Sequence, residues 1–446
     1  MCSFILTTKE IKNSKKVNLY SKRRGPDHTE IVSFDKYYII HNLLSITGVF
    51  TKQPFIDDGI AAFYNGEIYN YQEFGNFSSD GECLIKLYKK YGEGFLRKLD
   101  GEFAICIVDL NKEHIVFSTD TFKTKPLWFS VDDLDIGVSS YRSDLEHLGH
   151  VNITKAKPNT IYIYSMTTMK LREETLYDFD LKQYKDSFDD WISAFQSAIK
   201  KRTANINEKI FIGLSSGYDS GAIFCELLKK KVDFAAYSII GEEKEEILLK
   251  RHKMHNNTAI LDNSKANFNT ILRHIIRNCE KYSHQYYDML QDESSWGLGL
   301  LCMQAINDGR KIFLSGSGAD EIISDYGFGG TKFNNNSEFG GLFPDDLSKI
   351  FPWMNFYYGS QECYLAREEY VCGSYGLEAR YPFLDRNLVQ EFIWLKPYLK
   401  NKNYKAPIKE YFDRVDFPYV EEKIGFFFLK HDFDVNSLDA LNLNTK

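Results

Sequence analysis

Read for the alternation of apolar and polar positions, the chain changes character once. Up to about residue 175 it consists of short β-type runs, 60-IAAFYNGEIYNY-71, 102-EFAICIVDL-110, 114-HIVFSTD-120 and 160-TIYIYSM-166, broken by Gly, Asp and Lys clusters. One helical stretch, near Glu82 to Tyr91, interrupts them. From about residue 185, compact apolar runs (209-KIFIGLSS-216, 233-DFAAYSII-240, 311-KIFLSG-316) alternate with helical stretches. That alternation predicts a parallel sheet covered by helices. The polar segment 179-FDLKQYKDSFDD-190 is the expected junction, which divides the chain into residues 1–178 and 179–446. The stretch 332-KFNNNSEFGG-341 reads as a mobile loop.

Length and composition agree with two domains. At 446 residues the chain exceeds the size at which one core keeps growing. It is 43% hydrophobic and 26% charged, and no apolar run approaches the roughly 20 residues of a membrane span. The short apolar start meets Lys9 and Lys12 at once, unlike a signal peptide, so a soluble, cytoplasmic protein without membrane association is expected. The net charge of -7 argues against nucleic-acid binding, which needs a basic surface. Eight cysteines without a CxxC pair read as reduced thiols, seven of them in the core. His252 and His255 fit a solvated helix face better than a metal pair.

The remaining cysteine, Cys2, changes the picture. Removal of Met1 would leave it with a free α-amino group that titrates near 7.7 to 8.0 and can act as base for its own thiol. Alone, a second-position cysteine is more readily accidental. Asn65-Gly66-Glu67, at a strand end, offers a side-chain amide beside a glycine N–H, a plausible pair of donors to an oxyanion. Arg24-Gly25-Pro26-Asp27 reads as a rigid turn, and Asp80 offers a carboxylate suited to an ammonium group, although an N-cap role is equally expected there. In the second half, Leu214-Ser215-Ser216-Gly217-Tyr218-Asp219-Ser220 follows a strand and opens a helix, where backbone N–H groups favour a phosphate. By pattern alone an ordinary tight turn explains it about as well.

Taken in order, these segments resemble the asparagine synthetase B family. The first half carries Met1-Cys2, Arg24-Gly25-Pro26-Asp27, Asn65-Gly66-Glu67-Ile68-Tyr69-Asn70, Ser79-Asp80-Gly81-Glu82 and Leu99-Asp100-Gly101-Glu102-Phe103-Ala104. The second carries the Ser215 loop, Leu314-Ser315-Gly316-Ser317-Gly318-Ala319-Asp320-Glu321, Glu378-Ala379-Arg380-Tyr381-Pro382-Phe383-Leu384-Asp385 and Lys423-Ile424-Gly425-Phe426. The resemblance implies an α+β class II glutamine amidotransferase domain, an Ntn-type αββα sandwich, followed by an α/β PP-loop ATP pyrophosphatase domain. It implies Cys2 as glutaminase nucleophile, Asn65 and Gly66 as oxyanion hole, and Asp80 and Glu67 as glutamine-binding residues. It further implies ATP on Leu214, Ser215, Ser216, Gly217, Asp219, Ser220, Ser315, Gly316 and Lys423, with Mg2+ on Asp219 and Asp320. The implied reaction is glutamine-hydrolysing, ATP-dependent amidation of an adenylated carboxylate, aspartate by default, with a sugar uronate or other small acid as the alternative. A catalytically silent scaffold is the reading from another class. A homodimer is left open.

Three positions depart from the family pattern. Leu43 stands where relatives place an arginine for the glutamine carboxylate, and a leucine cannot make that bidentate pair. Ser216 replaces a loop glycine and costs about 1–2 kcal/mol if a left-handed backbone is required. Ser317 replaces a glutamate that handles protons, and Glu378 is the expected compensating carboxylate and catalytic residue.

Overall fold

A computed structural model describes residues 2–132, 135–241, 243–280 and 292–421, together with the backbone of 283–284 and 287–288. Among the described residues the first half forms twelve strands: β1 (Ser3–Thr7), β2 (His28–Phe34), β3 (Tyr37–Leu43), β4 (Phe55–Asp57), β5 (Ile60–Ile68), β6 (Gly101–Asp109), β7 (His114–Thr119), β8 (Trp128–Val131), β9 (Ile136–Ser139), β10 (Thr154–Lys155), β11 (Thr160–Ser165) and β12 (Leu171–Thr175). They pair into two six-stranded sheets, β10-β8-β9-β1-β3-β2 and β12-β11-β7-β6-β5-β4, and the pairs within both are antiparallel.

Alternation along each strand builds the layers. Phe4, Leu6, Ile39, Phe63, Cys106, Phe117 and Val138 fill the space between the sheets. On the outer face of the second sheet, Tyr64, Ile68, Ile105 and Ile107 pack under Leu84, Leu87 and Tyr88 of α1 (Cys83–Tyr91). Ile5 and Ile40 meet Val17 on the outer face of the first sheet. A one-residue slip of β1 would move Phe4 and Leu6, worth about 1.5–3 kcal/mol each when buried, out of the inter-sheet core. That penalty holds Cys2, the residue before β1, at a fixed point on the sheet edge.

The second half opens with α2 (Asp189–Thr203) and builds a five-stranded parallel sheet. Its strands are β13 (Lys209–Gly213), β14 (Phe234–Ser238), β15 (Thr258–Ile260), β16 (Arg310–Leu314) and β17 (Glu378–Arg380), in the order β15-β14-β13-β16-β17. The chain moves from β13 to β14 and β15 on one side, then crosses to β16 on the other, so the strand order reverses between β13 and β16. Ligands of open α/β sheets bind outside the carboxyl ends of strands at such a reversal. The Ser215 and Ser315 loops leave β13 and β16 there.

Buried ion pairs join the halves. Arg24 Nη2 lies 2.6 Å from Glu369 Oε2, Lys125 Nζ 2.8 Å from Glu369 Oε1, and Arg202 Nε 2.6 Å from Glu102 Oε1. Removing one partner of such a pair costs about 3–5 kcal/mol because the other charge stays buried. The stretch 332–341, expected to be mobile, is instead anchored. Asp325 Oδ2 accepts from Glu338 N at 2.7 Å and Phe339 N at 3.1 Å, and the Phe339 ring packs edge-on against Phe343 and Trp353. No described helix is long and apolar enough to cross a membrane.

Candidate functional site

At the thiol, Leu44 N–H donates to Cys2 Sγ at 3.5 Å and Arg24 Nε donates to Cys2 O at 3.0 Å. Cys2 is 5% exposed, and burial pushes its thiol up to about 11, so it needs a base to react at neutral pH. His41, opposite Phe4 in the β1–β3 register, does not supply one: burial lowers it to about 4, and its Nε2 donates to Tyr64 O at 3.0 Å. Asn65 on β5 is fully buried, and neither atom of its side-chain amide has a partner. An amide held without a partner in the core costs free energy unless a ligand completes it, which fits a donor waiting for an oxyanion. Gly66, at φ 129, follows it, and a Cβ there would overlap Glu102 O.

The two carboxylates expected to hold glutamine are already engaged. Asp80 accepts from Tyr64 OH at 2.5 Å and from Ile68 N at 2.9 Å, and burial raises it to about 6. Glu67 accepts from Thr47 Oγ1 at 2.6 Å and lies 3.1 Å from Arg380 Nη2. Leu43 is buried, so its side chain fills space where a guanidinium would have carried charge.

In the second half, the Ser215 loop opens α3 (Tyr218–Lys229) and is tied by its own hydroxyls. Ser215 N donates to Ser220 Oγ at 3.0 Å, and Gly217 N donates to Ser215 Oγ at 3.1 Å. Ser216 N donates to Glu243 Oε2 at 2.6 Å, so a carboxylate already sits on the loop N–H in the manner of a phosphate oxygen. Ser216 is not among the residues with positive φ, which removes the left-handed strain expected of it. Beneath the loop, Arg251 Nη1 donates to Ser215 O at 2.6 Å and Gly217 O at 2.8 Å, adding positive charge at the helix N-terminus. Gly316 lets the two loops meet: a Cβ there would lie 2.9 Å from Asp219 Cβ.

Lys405 gathers the acids of this site. It is 3% exposed, and its Nζ lies 2.6 Å from Asp219 Oδ1 and 3.0 Å from Asp320 Oδ1; Tyr404 OH donates to the same Asp320 oxygen at 2.8 Å. Although burial would lower it, these two carboxylates hold the Lys405 ammonium well above its ordinary value. Two hard carboxylates converging on one point suit Mg2+, which is commonly held by one or two carboxylates with phosphate oxygens completing the shell.

Ser317 Oγ donates to Glu368 Oε1 at 2.8 Å. Glu368, on α4 (Gly359–Ser374), is buried, its Oε2 has no partner, and burial raises its carboxyl above the usual range. This corrects the expectation for Glu378, whose carboxylate faces Arg380 Nε at 2.7 Å and raises the thiol of Cys2 through its charge. Burial would raise Glu378 too, but Arg380 and Lys125 hold it well below the ordinary carboxylate range. In the parallel register Glu378 stands opposite Ile312, upstream of the Ser315 loop, which explains why it serves the junction and not Ser317.

The structure thus sets Cys2 within electrostatic reach of Glu67, with Asn65 and Gly66 on the same strand β5, whose Phe63 packs on Phe4 two residues from the thiol. It gathers Ser215, Ser216, Gly217, Asp219, Ser220, Ser315, Gly316 and Asp320 around the loops, with Leu214 buried at the end of β13. Lys423 lies outside the described residues. Glu368, Arg251 and Lys405 escape the sequence reading. Lys405 alone left a trace, the Lys-Ala-Pro that begins α5 (Ala406–Val415).

With both sites in place, the comparisons are informative. Residues 1–180 match the family model described as "Glutamine amidotransferase domain". A Methanocaldococcus jannaschii protein whose name assigns it to the glutamine-hydrolysing asparagine synthetases is 27% identical over 92% of this chain and 76% of its own length. Asparagine synthetase B (glutamine-hydrolysing) of Escherichia coli is 26% identical over 89% of this chain and 76% of its own. Residues 1–180 thus carry a glutamine amidotransferase domain, and the chain as a whole is similar to glutamine-hydrolysing asparagine synthetases over most of its length. Another relative, asparagine synthetase (glutamine-hydrolysing) 2 of Oryza sativa, is 24% identical over 90% of this chain and 71% of its own. A solved structure, glutamine phosphoribosylpyrophosphate amidotransferase from B. subtilis complexed with ADP and GMP, is similar with a TM-score of 0.34 and 15% identity over 61% of this chain and 77% of that one.

Proposed function

We propose that this asparagine synthetase B-like protein takes ammonia from glutamine at Cys2 and uses ATP to convert a carboxylate, by default aspartate, to its amide. The observation that carries the first half is the buried, unpartnered amide of Asn65 beside a thiol at the head of β1. With Met1 removed, the α-amine accepts the thiol proton and the sulfur attacks the amide carbon. Asn65 Nδ2 and the Gly66 N–H then stabilise the oxyanion, an arrangement in which loss of one donor costs about 10²–10³ in rate. Ammonia leaves, and water hydrolyses the thioester to glutamate.

The second half rests on the paired loops at the strand-order reversal. Loop N–H groups, the α3 N-terminus and Arg251 favour the phosphates of ATP, and Glu243 would give way to them. Asp219 and Asp320 would hold Mg2+, which when bound offsets charge on pyrophosphate. The acceptor carboxylate displaces pyrophosphate, forming an acyl-adenylate. Ammonia then attacks the acyl carbon and AMP leaves. Glu368, desolvated and hydrogen-bonded to Ser317, is placed to take the proton shed by the attacking nitrogen.

A second reading of the acceptor is favoured by that same pair. A serine backed by a carboxylate from α4 gives a pocket floor of different shape from a single acidic side chain on the loop, so an acid other than aspartate, a uronate or another small acid, is its natural competitor. The test is release of AMP and pyrophosphate from ATP with ammonium chloride and a panel of acids. Aspartate is expected to stimulate it. If aspartate is inert while another acid is active, the default acceptor is wrong.

A further inference from the structure

We infer that the cleft between the end of β5 and the C-terminal turn of α2 seats the α-carboxylate of the amide donor, with Lys200 as its outer cation and Arg380 Nη2 as its inner one. The inference deepens the proposed use of glutamine at Cys2 and rests on it. A cavity of about 240 Å³ opens there, lined by Thr47, Glu67 and Tyr69 from the first half and by Lys200, Asn205 and Arg380 from the second. That volume suits a small amino acid.

The cavity adjoins the thiol site through β5. Asn65 and Glu67 are two residues apart in an unbroken register against Ala104 and Glu102, so both side chains leave the same face, roughly 6.6–6.8 Å apart along the strand. An extended glutamine with its amide at Asn65 therefore carries its α-carbon groups toward Glu67 and the cleft.

The cations around that path are mostly spent. Arg24 is bound to Cys2 O and Glu369, Lys201 to Asp100 at 2.6 Å and Asp385 at 3.0 Å, and Arg202 to Glu102 and Asp385. Two donors remain. Arg380 is 1% exposed, yet its Nη2, though 3.1 Å from Glu67 Oε1, makes no hydrogen bond of acceptable geometry. Lys200, next to both spent cations on α2, is exposed and makes no ion pair among the described residues. Glu67 stands between them to receive an ammonium group. The Arg380 charge is shared with Glu378, 2.7 Å from its Nε. The cleft thus offers a zwitterion the Nη2 edge of Arg380, the Glu67 carboxylate and the full charge of Lys200, which supplies from the second half of the chain the charge that Leu43 withholds in the first.

The test is calorimetric titration of L-glutamine into full-length Cys2→Ser protein and into Cys2→Ser/Lys200→Met protein, with L-glutamine α-amide, which lacks the carboxylate, titrated in parallel. The inference expects glutamine to bind at least tenfold more weakly to the double variant, Lys200→Arg to restore binding to within about threefold, and the α-amide to bind both proteins alike. Equal glutamine affinity in the two proteins, equal weakening of the α-amide, or no glutamine binding to either would overturn it. Ammonia release by protein with Cys2 intact reports separately on the proposed function. Glutamine that binds through Lys200 but is never hydrolysed would end that reading and leave this one standing.

Discussion

The thiol site and the Ser215 and Ser315 loops solve the same electrostatic problem with differently assembled parts. Each holds two carboxylates around one buried cation: buried Glu67 and Glu378 around Arg380, half-buried Asp219 and Asp320 around Lys405. At the thiol, Cys2, Asn65 and Glu67 come from the head of β1 and from β5 of one antiparallel sandwich, and Arg380 and Glu378 cross together on one strand from the other half. At the loops, the groups come from the ends of β13 and β16, from α4 and from the residue before α5. Parallel strands need long crossovers between neighbours, so a parallel-sheet site collects residues far apart in sequence. The consequence is that the first site fails locally, whereas the second is exposed to changes anywhere along its crossovers.

The largest effect that would break this comparison is at the nucleophile. Cys2→Ser is expected to lower glutamine-dependent amide formation by at least about 10³-fold while leaving the ammonia-dependent reaction within twofold, measured as amide product with each nitrogen source. Next comes Lys405→Met, which leaves Asp219 and Asp320 facing each other without their shared cation. Acid-dependent release of pyrophosphate from ATP should fall about 100-fold or more, and glutaminase activity without ATP should persist.

A sharper separation pairs two glutamates that stand ten residues apart in sequence. Glu368→Gln should slow the ammonia-dependent reaction by about 10²–10⁴ and spare glutamine hydrolysis. Glu378→Gln should do the reverse, raising the KM for glutamine or lowering its turnover. If both variants lost both activities equally, the assignment of one carboxylate to each site would be wrong.

The smallest effect is on pH. Burial raises Asp80 from 3.8 to about 6. A carboxyl raised on folding stabilises the native state fully below its unfolded value and loses that contribution as pH rises through the folded one. The contribution of Asp80 to stability should therefore decline between about pH 4 and pH 6, and Asp80→Asn, compared by thermal unfolding, should flatten that part of the profile. Glutamine hydrolysis in the parent protein should rise through the same window as the carboxylate forms.

How far the chain could be read beforehand follows the same division. The strands of the first half were legible as short β-type runs, but their sandwich arrangement came from the resemblance alone, because β5, β6, β7 and β11 are apolar on both faces, one toward an inner and one toward an outer core. The parallel sheet was legible because helical and strand periods alternate after residue 185. Cys2, Asn65 and the Ser215 loop drew notice through their order along the chain, since Cys2 alone reads as an accident and the loop alone as an ordinary tight turn. Glu368 did not, because nothing in Arg367-Glu368-Glu369 reveals that adjacent glutamates part, one toward Ser317 and one toward Arg24 and Lys125. Lys405 left only the Lys-Ala-Pro trace, because its role exists only once α5 packs against α3. Glu378 was misread because its place in a motif did not say which side of the sheet junction its carboxylate would face. The loop at 332–341 was misread because its asparagines and glycines suggested freedom, whereas the buried Asp325 supplies the acceptors that pin it.

The central claim, that nitrogen freed at Cys2 reaches a carboxylate activated at the Ser215 loop, is tested most directly by following the label. Full-length protein would be given glutamine labelled with ¹⁵N at the side-chain amide, ATP, Mg2+ and the acid that best stimulates pyrophosphate release. The account predicts one AMP and one pyrophosphate for each labelled amide formed, with glutamate as co-product. Glutamate release with no label in any product amide, or product formed with ADP and phosphate in place of AMP and pyrophosphate, would contradict it.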